Sequence, residues 1–505
     1  MNTCRRDDVP TVCKGALPKR MLLAIILLVV VNVLFLYNSL QVGTFVDDGY
    51  YITLARSIAQ GHGLSEINDP NCPPHKLWPF GFPLLLSPAA LLSKTSLLPY
   101  KLFNTAYAML ALVLMLRYYR KFLSPEMALL ALGVVGCSAL YAGNAGMVMS
   151  EPTFGAVFLA VILIAHSDNP TPSTRRNIVI GLLCALAYFI RPVGIACGCA
   201  VCLHALFRRE YGRVFWVAGI VFICALAWGL RDTVLTGSFA GHQSYLKMMG
   251  IDVVLRNLRI YSLEHIPNSL LPFLSQPRLL RLATQVHAHW ALSVVALSTL
   301  VVLVLGATSA WRDPRRRLEM ILAACYGLVL LVWPLTKDGG RLLYPLYPFF
   351  VVWFLEGLAV LLGRVSRVSS LQVFRIAAAL LLSIWTVGNL ALLRNPTHSR
   401  IRDISVGSDW IRHNTAYDAL VIADRPQSIW LYAQRATVGP VGAIDRLRHE
   451  GRQIDYVLVG PDFSKPGTTP PLLPRFRGDR DYQLVFQNTT EQTYVFAARQ
   501  ETEMR

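Results

Sequence analysis

The segment "GTFVDDGYYITLARSIAQGHG", residues 43–63, decides how this chain is read. It sets two adjacent carboxylates, Asp47 and Asp48, just beyond the first long apolar run, "MLLAIILLVVVNVLFLYNSL" at 21–40. That run has the ~20 residues needed to cross a bilayer. It is too long for a signal-peptide core and no small-residue cleavage site follows, so it reads as a retained signal anchor. The acids therefore stand where the chain leaves a membrane, and the stretch after them, "YYITLARSIAQ", is expected to be a short helix.

Working outward, the remaining chain has the composition of a polytopic membrane protein. It is 505 residues long and 54% hydrophobic, with a mean hydropathy of +0.44, too apolar for a soluble enzyme of this size. The net charge of +18 comes from basic residues in short clusters between apolar runs. That is the pattern of positively charged cytoplasmic loops, so no nucleic-acid partner is expected. Most of the ten cysteines lie inside apolar runs as small packing residues, and neither a disulfide framework nor a metal-ligand spacing is present.

The basic clusters set the topology. Arg5, Arg6, Lys14, Lys19 and Arg20 put residues 1–20 in the cytoplasm. If "RYYRK" (117–121) is also inside, only one of the two apolar stretches before it crosses. The Pro-rich stretch 79–97 is then a juxtamembrane or re-entrant segment within an outer loop at 41–97. Continuing to residue 393 predicts about eleven spans of ~20 residues, with the dense basic clusters on one side. After residue 394, "YDALVIAD", "RQIDYVLVGPDF", "DYQLVFQ" and "QTYVFAA" read as strands, and "SIWLYAQ" and "GAIDRLRHEG" as helices. Residues 394–505 are thus expected to form a small extracytoplasmic α/β domain.

An ionisable side chain in an apolar run costs about 2.5–3.5 kcal/mol or more and is a functional candidate for that reason. Asp47, Asp48, Lys76, Glu151, Arg191 and Arg341 meet that description or lie beside such a run, and parity places all six on the outer side. Each has a plainer reading as well: a solvated cap for the aspartates, a first-turn carboxylate favoured by the helix dipole for Glu151, interfacial anchoring for Lys76 and Arg341. Arg191 is the only acidic, lysine or arginine residue in 177–207. Glu356 and Arg231 read as structural charges. Paired acids and separate cations at a lipid–water boundary suit group transfer from a lipid-linked donor. A carboxylate can deprotonate an acceptor hydroxyl while arginine or lysine holds the donor phosphate.

The motifs "VDDGYYITLARSIAQGHG", "HKLWPFGFPLLL", "MSEPTF", "IRPVG" and "GGRLLYPLYPFF", in that order, resemble the GT-C glycosyltransferases, the group that includes protein O-mannosyltransferases and aminoarabinose–lipid A transferases. The resemblance implies a GT-C-like polytopic helical fold and a transferase that moves a sugar from a polyprenyl-phosphate donor to an extracytoplasmic lipid, glycan or protein, in a bacterial inner membrane. It implies a base at Asp47 or Asp48, a second acid at Glu151, and donor-phosphate contacts from Lys76 and Arg341, with Arg191 among the substrate-binding residues. No metal ligand set is implied, although a divalent ion at Asp47 and Asp48 is compatible with the pair. The alternative is a transporter or flippase for a lipid-linked or anionic solute, which would use the same arginines but favours broken helices in repeated halves.

Overall fold

The structure, a computed structural model, describes residues 16–37, 41–43, 46–93, 95–166, 173–236, 248–275, 284, 289–334, 339–365, 369–394, 405–460 and 472–499. The chain divides into two compact units. One comprises Met1–Phe35, Thr105–Ala145 and Ser150–Ala391; the other comprises Leu36–Asn104, Gly146–Met149 and Leu392–Arg505.

The first unit is helical. Four helices of the described chain are long and apolar enough to cross a membrane: Leu98–Tyr119, Tyr211–Leu235, Trp290–Arg312 and Ser370–Leu390. A fifth candidate is the pair Pro125–Cys137 and Ala139–Ala145, bent by 63°. Shorter apolar helices include Ser150–Ala165, Pro192–Phe207 and Tyr347–Gly363. The outer faces of these helices are apolar: Phe215, Phe222, Ile223 and Leu230 are exposed on one, Trp290, Leu297, Val301 and Val304 on another. Continuous exposed apolar stripes of this kind are stable against lipid rather than water. The protein is an integral membrane protein.

Close packing and buried polar bridges hold the helices. Between His289–Arg312 and Tyr347–Val365, a Cβ on Gly306 would lie 1.7 Å from the Trp353 carbonyl oxygen, and one on Gly357 1.9 Å from that of Val302. Glycine is required there because the two backbones touch. Asn389 Nδ2 donates to Asn32 Oδ1 at 2.7 Å and to the Cys137 carbonyl at 2.8 Å, tying the Lys19–Tyr37 helix to Ser370–Arg394. The Arg316 guanidinium donates to both oxygens of Glu356 at 2.8 and 2.7 Å and to Glu319 at 3.0 Å, and Trp353 Nε1 also donates to Glu319 at 2.7 Å. Glu356 is therefore a structural charge, with both of its oxygens bonded to Arg316 Nη1.

The second unit contains a five-stranded sheet of β1 (Leu420–Ala423), β2 (Ala436–Val438), β3 (Tyr456–Val459), β4 (Tyr482–Asn488) and β5 (Thr493–Ala498). The order is β2-β1-β3-β5-β4. The first three strands are parallel, and β5 pairs antiparallel with both β3 and β4. Alternate residues serve opposite faces, as the two-residue strand period requires. Ile422, Val457 and Phe496 enter one core with Ile444 and Phe476, while Val421, Leu458 and Val495 enter another with Ile411 and Ile429. The same unit holds the helix Val46–Ala59 and the two short helices Gly81–Leu86 and Pro88–Leu92. The six- and five-residue lengths of that pair are too short to cross a bilayer.

Candidate functional site

Asp47 and Asp48 occupy the first turn of Val46–Ala59, where a carboxylate is favoured by the unpaired N–H groups of the helix start. They face different surroundings. Asp48 is 3% exposed. Its Oδ2 accepts the Gly43 N–H and its Oδ1 the Gly49 N–H, both at 2.8 Å. Burial pushes its carboxyl up to about 7, against the opposing pull of those two N–H groups and of Arg425, with Asp47 adding to the rise. Asp47, in the same turn, is half-buried.

The clasp around Asp48 is completed by residues from the other end of the chain. Arg425 donates to the Gly43 carbonyl, and Tyr432 Oη donates to the Val42 carbonyl at 2.8 Å. Gly49 follows the acids because a Cβ there would meet Ser428 Oγ at 2.3 Å. The helix Pro426–Ala433 thus lies directly on the acid-bearing turn. Further along the loop, Asn68 Nδ2 donates to the Thr437 carbonyl at 3.0 Å and the Thr437 N–H returns to the Asn68 carbonyl at 2.8 Å, beside β2. Asp69 pairs with Arg452 at 3.1 Å.

Lys76 is exposed beside His75, which is buried. Because His75 Nε2 accepts the Trp78 N–H at 2.8 Å, the proton is assigned to Nδ1, which faces Glu66 Oε1 at 2.9 Å. Sequence reasoning singled out Lys76 and passed over His75, Glu66, Asn68, Arg425 and Gln427. These side chains, apart from the candidate acids, give the loop its shape.

In the first unit, Glu151, Arg191 and Arg341 converge. Glu151 begins the helix Ser150–Ala165 and is 1% exposed. Pro192 keeps Arg191 out of helical geometry, so the helix Thr174–Ile190 stops and Arg191 is extended at φ −149°. Its Nη1 lies 2.5 Å from Glu151 Oε1 and 3.4 Å from Ser150 Oγ. Arg341 approaches the same carboxylate oxygen, with Nε at 3.6 Å. Its short helix, Gly339–Leu342, is positioned by Tyr326 Oη donating to the Leu342 carbonyl at 2.9 Å and by Tyr344 stacked on Tyr141 at 4.0 Å. One buried carboxylate between two guanidinium groups leaves a local surplus of one positive charge. That surplus can attract an anion.

Among the described residues no group of three or more His, Cys, Asp and Glu is arranged to hold a metal ion. Each Asp48 oxygen already accepts one backbone N–H group.

No protein-family profile matches this chain, and no curated protein matches it. Solved structures do. ArnT from Cupriavidus metallidurans in the apo state aligns with a TM-score of 0.57 and 13% identity, covering 94% of this chain and 97% of ArnT. ArnT bound to undecaprenyl phosphate aligns at 0.56 and 12%, covering 95% and 98%. The apo oligosaccharyltransferase of Archaeoglobus fulgidus aligns at 0.51 and 13%, covering 88% of this chain and 70% of that one. The chain is thus a membrane protein with the GT-C fold that its motifs implied. At these identities the likeness is one of fold.

Proposed function

We propose that this protein is a glycosyltransferase that moves a sugar from a polyprenyl-phosphate donor to an acceptor hydroxyl on the extracytoplasmic side of a bacterial inner membrane. The observation that carries the proposal is the contrast within the aspartate pair: one carboxylate buried and clasped, its neighbour half-open in the same helical turn. Environments that separate two adjacent acids in this way divide chemical roles between them. Asp47 takes the proton of the acceptor hydroxyl as the acceptor oxygen bonds to the anomeric carbon. The bond from that carbon to the donor phosphate oxygen breaks, and the lipid phosphate leaves. Asp48 positions the turn. Arg191 and Arg341, preset by Glu151, bind donor phosphate, and Lys76 is a separate substrate-binding cation on the outer loop. The likeness of fold to a structure bound to undecaprenyl phosphate supports this donor class.

The bent pair Pro125–Cys137 and Ala139–Ala145 favours a second reading, transport of a lipid-linked or anionic solute, because broken helices are common in transporters. One experiment separates the two. Purified protein is given a polyprenyl-phosphate sugar labelled in the sugar, with membrane extract as acceptor source. Release of polyprenyl phosphate, lost in Asp47→Asn, is the expected result. Intact donor after incubation with wild type, in the presence of measured solute movement, overturns the transferase.

A further inference from the structure

Arg56 lies two turns beyond the aspartates on Val46–Ala59 and serves neither them nor any acid. Its side chain is 6% exposed, yet no carboxylate among the described residues lies within 4 Å of it. Nε donates to Tyr100 Oη at 3.2 Å, and the guanidinium carbon sits 5.7 Å from the Tyr100 ring centroid and 5.5 Å from that of Trp430. Nη2 is buried and has no hydrogen-bond partner among the described residues. Aromatic faces compensate a buried cation only in part, and a buried charge without a counter-ion is costly. Arg56 also lines a cavity of about 450 Å³, with Gln60, Ser93, Trp430 and Gln434 among the other walls.

A second cavity of about 410 Å³ shares Thr95 and Gln434 with the first and adds Lys101 and Arg412 against a single carboxylate, Asp409. All these residues belong to the second unit. The lining is therefore cationic, with hydrogen-bonding side chains between the charges. Its rim is apolar: Leu91 and Leu98 line the cavities while 76% and 52% exposed, and Leu98 begins a membrane-span candidate. A ligand here meets cations inside and lipid at the mouth.

We propose that the Arg56 cavity is an anion subsite for a phosphate-ester headgroup presented by a membrane lipid. The site is independent of the glycosyl-transfer reading, because it uses neither the aspartate pair nor the Glu151 cluster. Arg56 supplies the positive charge for the phosphate, the amides of Gln60 and Gln434 supply hydrogen-bond donors, and the exposed leucines hold the acyl chains.

The test is native mass spectrometry of the delipidated full chain with dioctanoyl-phosphatidylglycerol, paired with thermal-shift titration of inorganic phosphate. Two variants are compared with wild type. Arg56→Gln removes the charge, and Gln60→Glu, at an exposed wall position, supplies an internal counter-ion without disturbing Arg56 packing. Wild type is expected to retain one phosphatidylglycerol that dioctanoylglycerol does not displace. Gln60→Glu should weaken retention at least tenfold while keeping the wild-type melting temperature. Equal retention by wild type and Gln60→Glu overturns the proposal, even if Arg56→Gln fails to fold. Stabilisation by inorganic phosphate without retention of the lipid overturns the lipid source and assigns the site to a soluble phosphoester.

Discussion

Replacing Asp48 by Asn makes the division within the aspartate pair measurable as a function of pH. The carboxyl of Asp48 is raised from 3.8 to about 7 in the folded protein. Between those values the folded state binds the proton more tightly than the unfolded chain, so stability falls as pH rises through this window. A shift of about three units corresponds to roughly 4 kcal/mol at 1.36 kcal/mol per unit. The contribution is fully present below about pH 4 and is lost above about pH 7. Asn does not titrate, so Asp48→Asn lacks this slope, although its amide leaves one of the Gly43 and Gly49 N–H groups unmet at a cost of about 1–3 kcal/mol. Stability relative to the variant is the informative quantity, because every other titrating group cancels. Reversible denaturant unfolding in detergent at pH 4.5, 6 and 8 should show wild type losing ground to Asp48→Asn as pH increases, by about 3 kcal/mol over that range. Asp47→Asn should leave the wild-type slope largely intact while reducing turnover about 10²–10⁴-fold. A wild type that gains on Asp48→Asn with rising pH refutes the burial argument. A fully active Asp47→Asn refutes the assignment of the base.

Three further outcomes are expected. Glu151→Ala removes the carboxylate shared by Arg191 and Arg341 and should destabilise the protein by about 3–5 kcal/mol, read as a fall in melting temperature, whereas Arg341→Lys should fold and weaken donor binding because the bidentate fork is lost. Gly306→Ala forces apart two helices that touch at the Trp353 carbonyl and should cost about 1–3 kcal/mol or more; an unchanged melting temperature would show that the crossing relaxes. Reporter fusions after residues 122, 210 and 314 should read cytoplasmic and a fusion at residue 505 extracytoplasmic; an external reading at 122 would reverse the parity of every later span.

What the sequence made legible was what local chemistry announces. Apolar runs announce helices for lipid, and a charge inside such a run announces a partner, which is why Glu151, Arg191 and Arg341 could be picked from three separate segments and are found on one carboxylate. Runs of β-branched and aromatic residues marked four of the five strands, but β2 has only the three residues Ala436–Val438 and no pattern to read. The difference between Asp47 and Asp48 was equally silent. It depends on Ser428 packing over Gly49 and on Arg425 reaching Gly43, contacts made across hundreds of positions with no local signature. Arg56 escaped notice for another reason: an arginine on a short mixed helix is ordinary until its burial is known.

The clasp on the acid-bearing turn has a consequence for biogenesis. Gly43 and Arg425 are 382 positions apart, and at a synthesis rate of about 5–20 residues per second roughly 20–80 s separate their emergence from the ribosome. During that interval Asp48 is unclasped, and the turn matures only when Arg425 and the helix Pro426–Ala433 have been made. A premature stop late in the reading frame would leave every candidate acid and cation upstream of it in place, yet should abolish a function seated near the N-terminus. In a mutant screen, lesions at the two ends of this protein should share one phenotype.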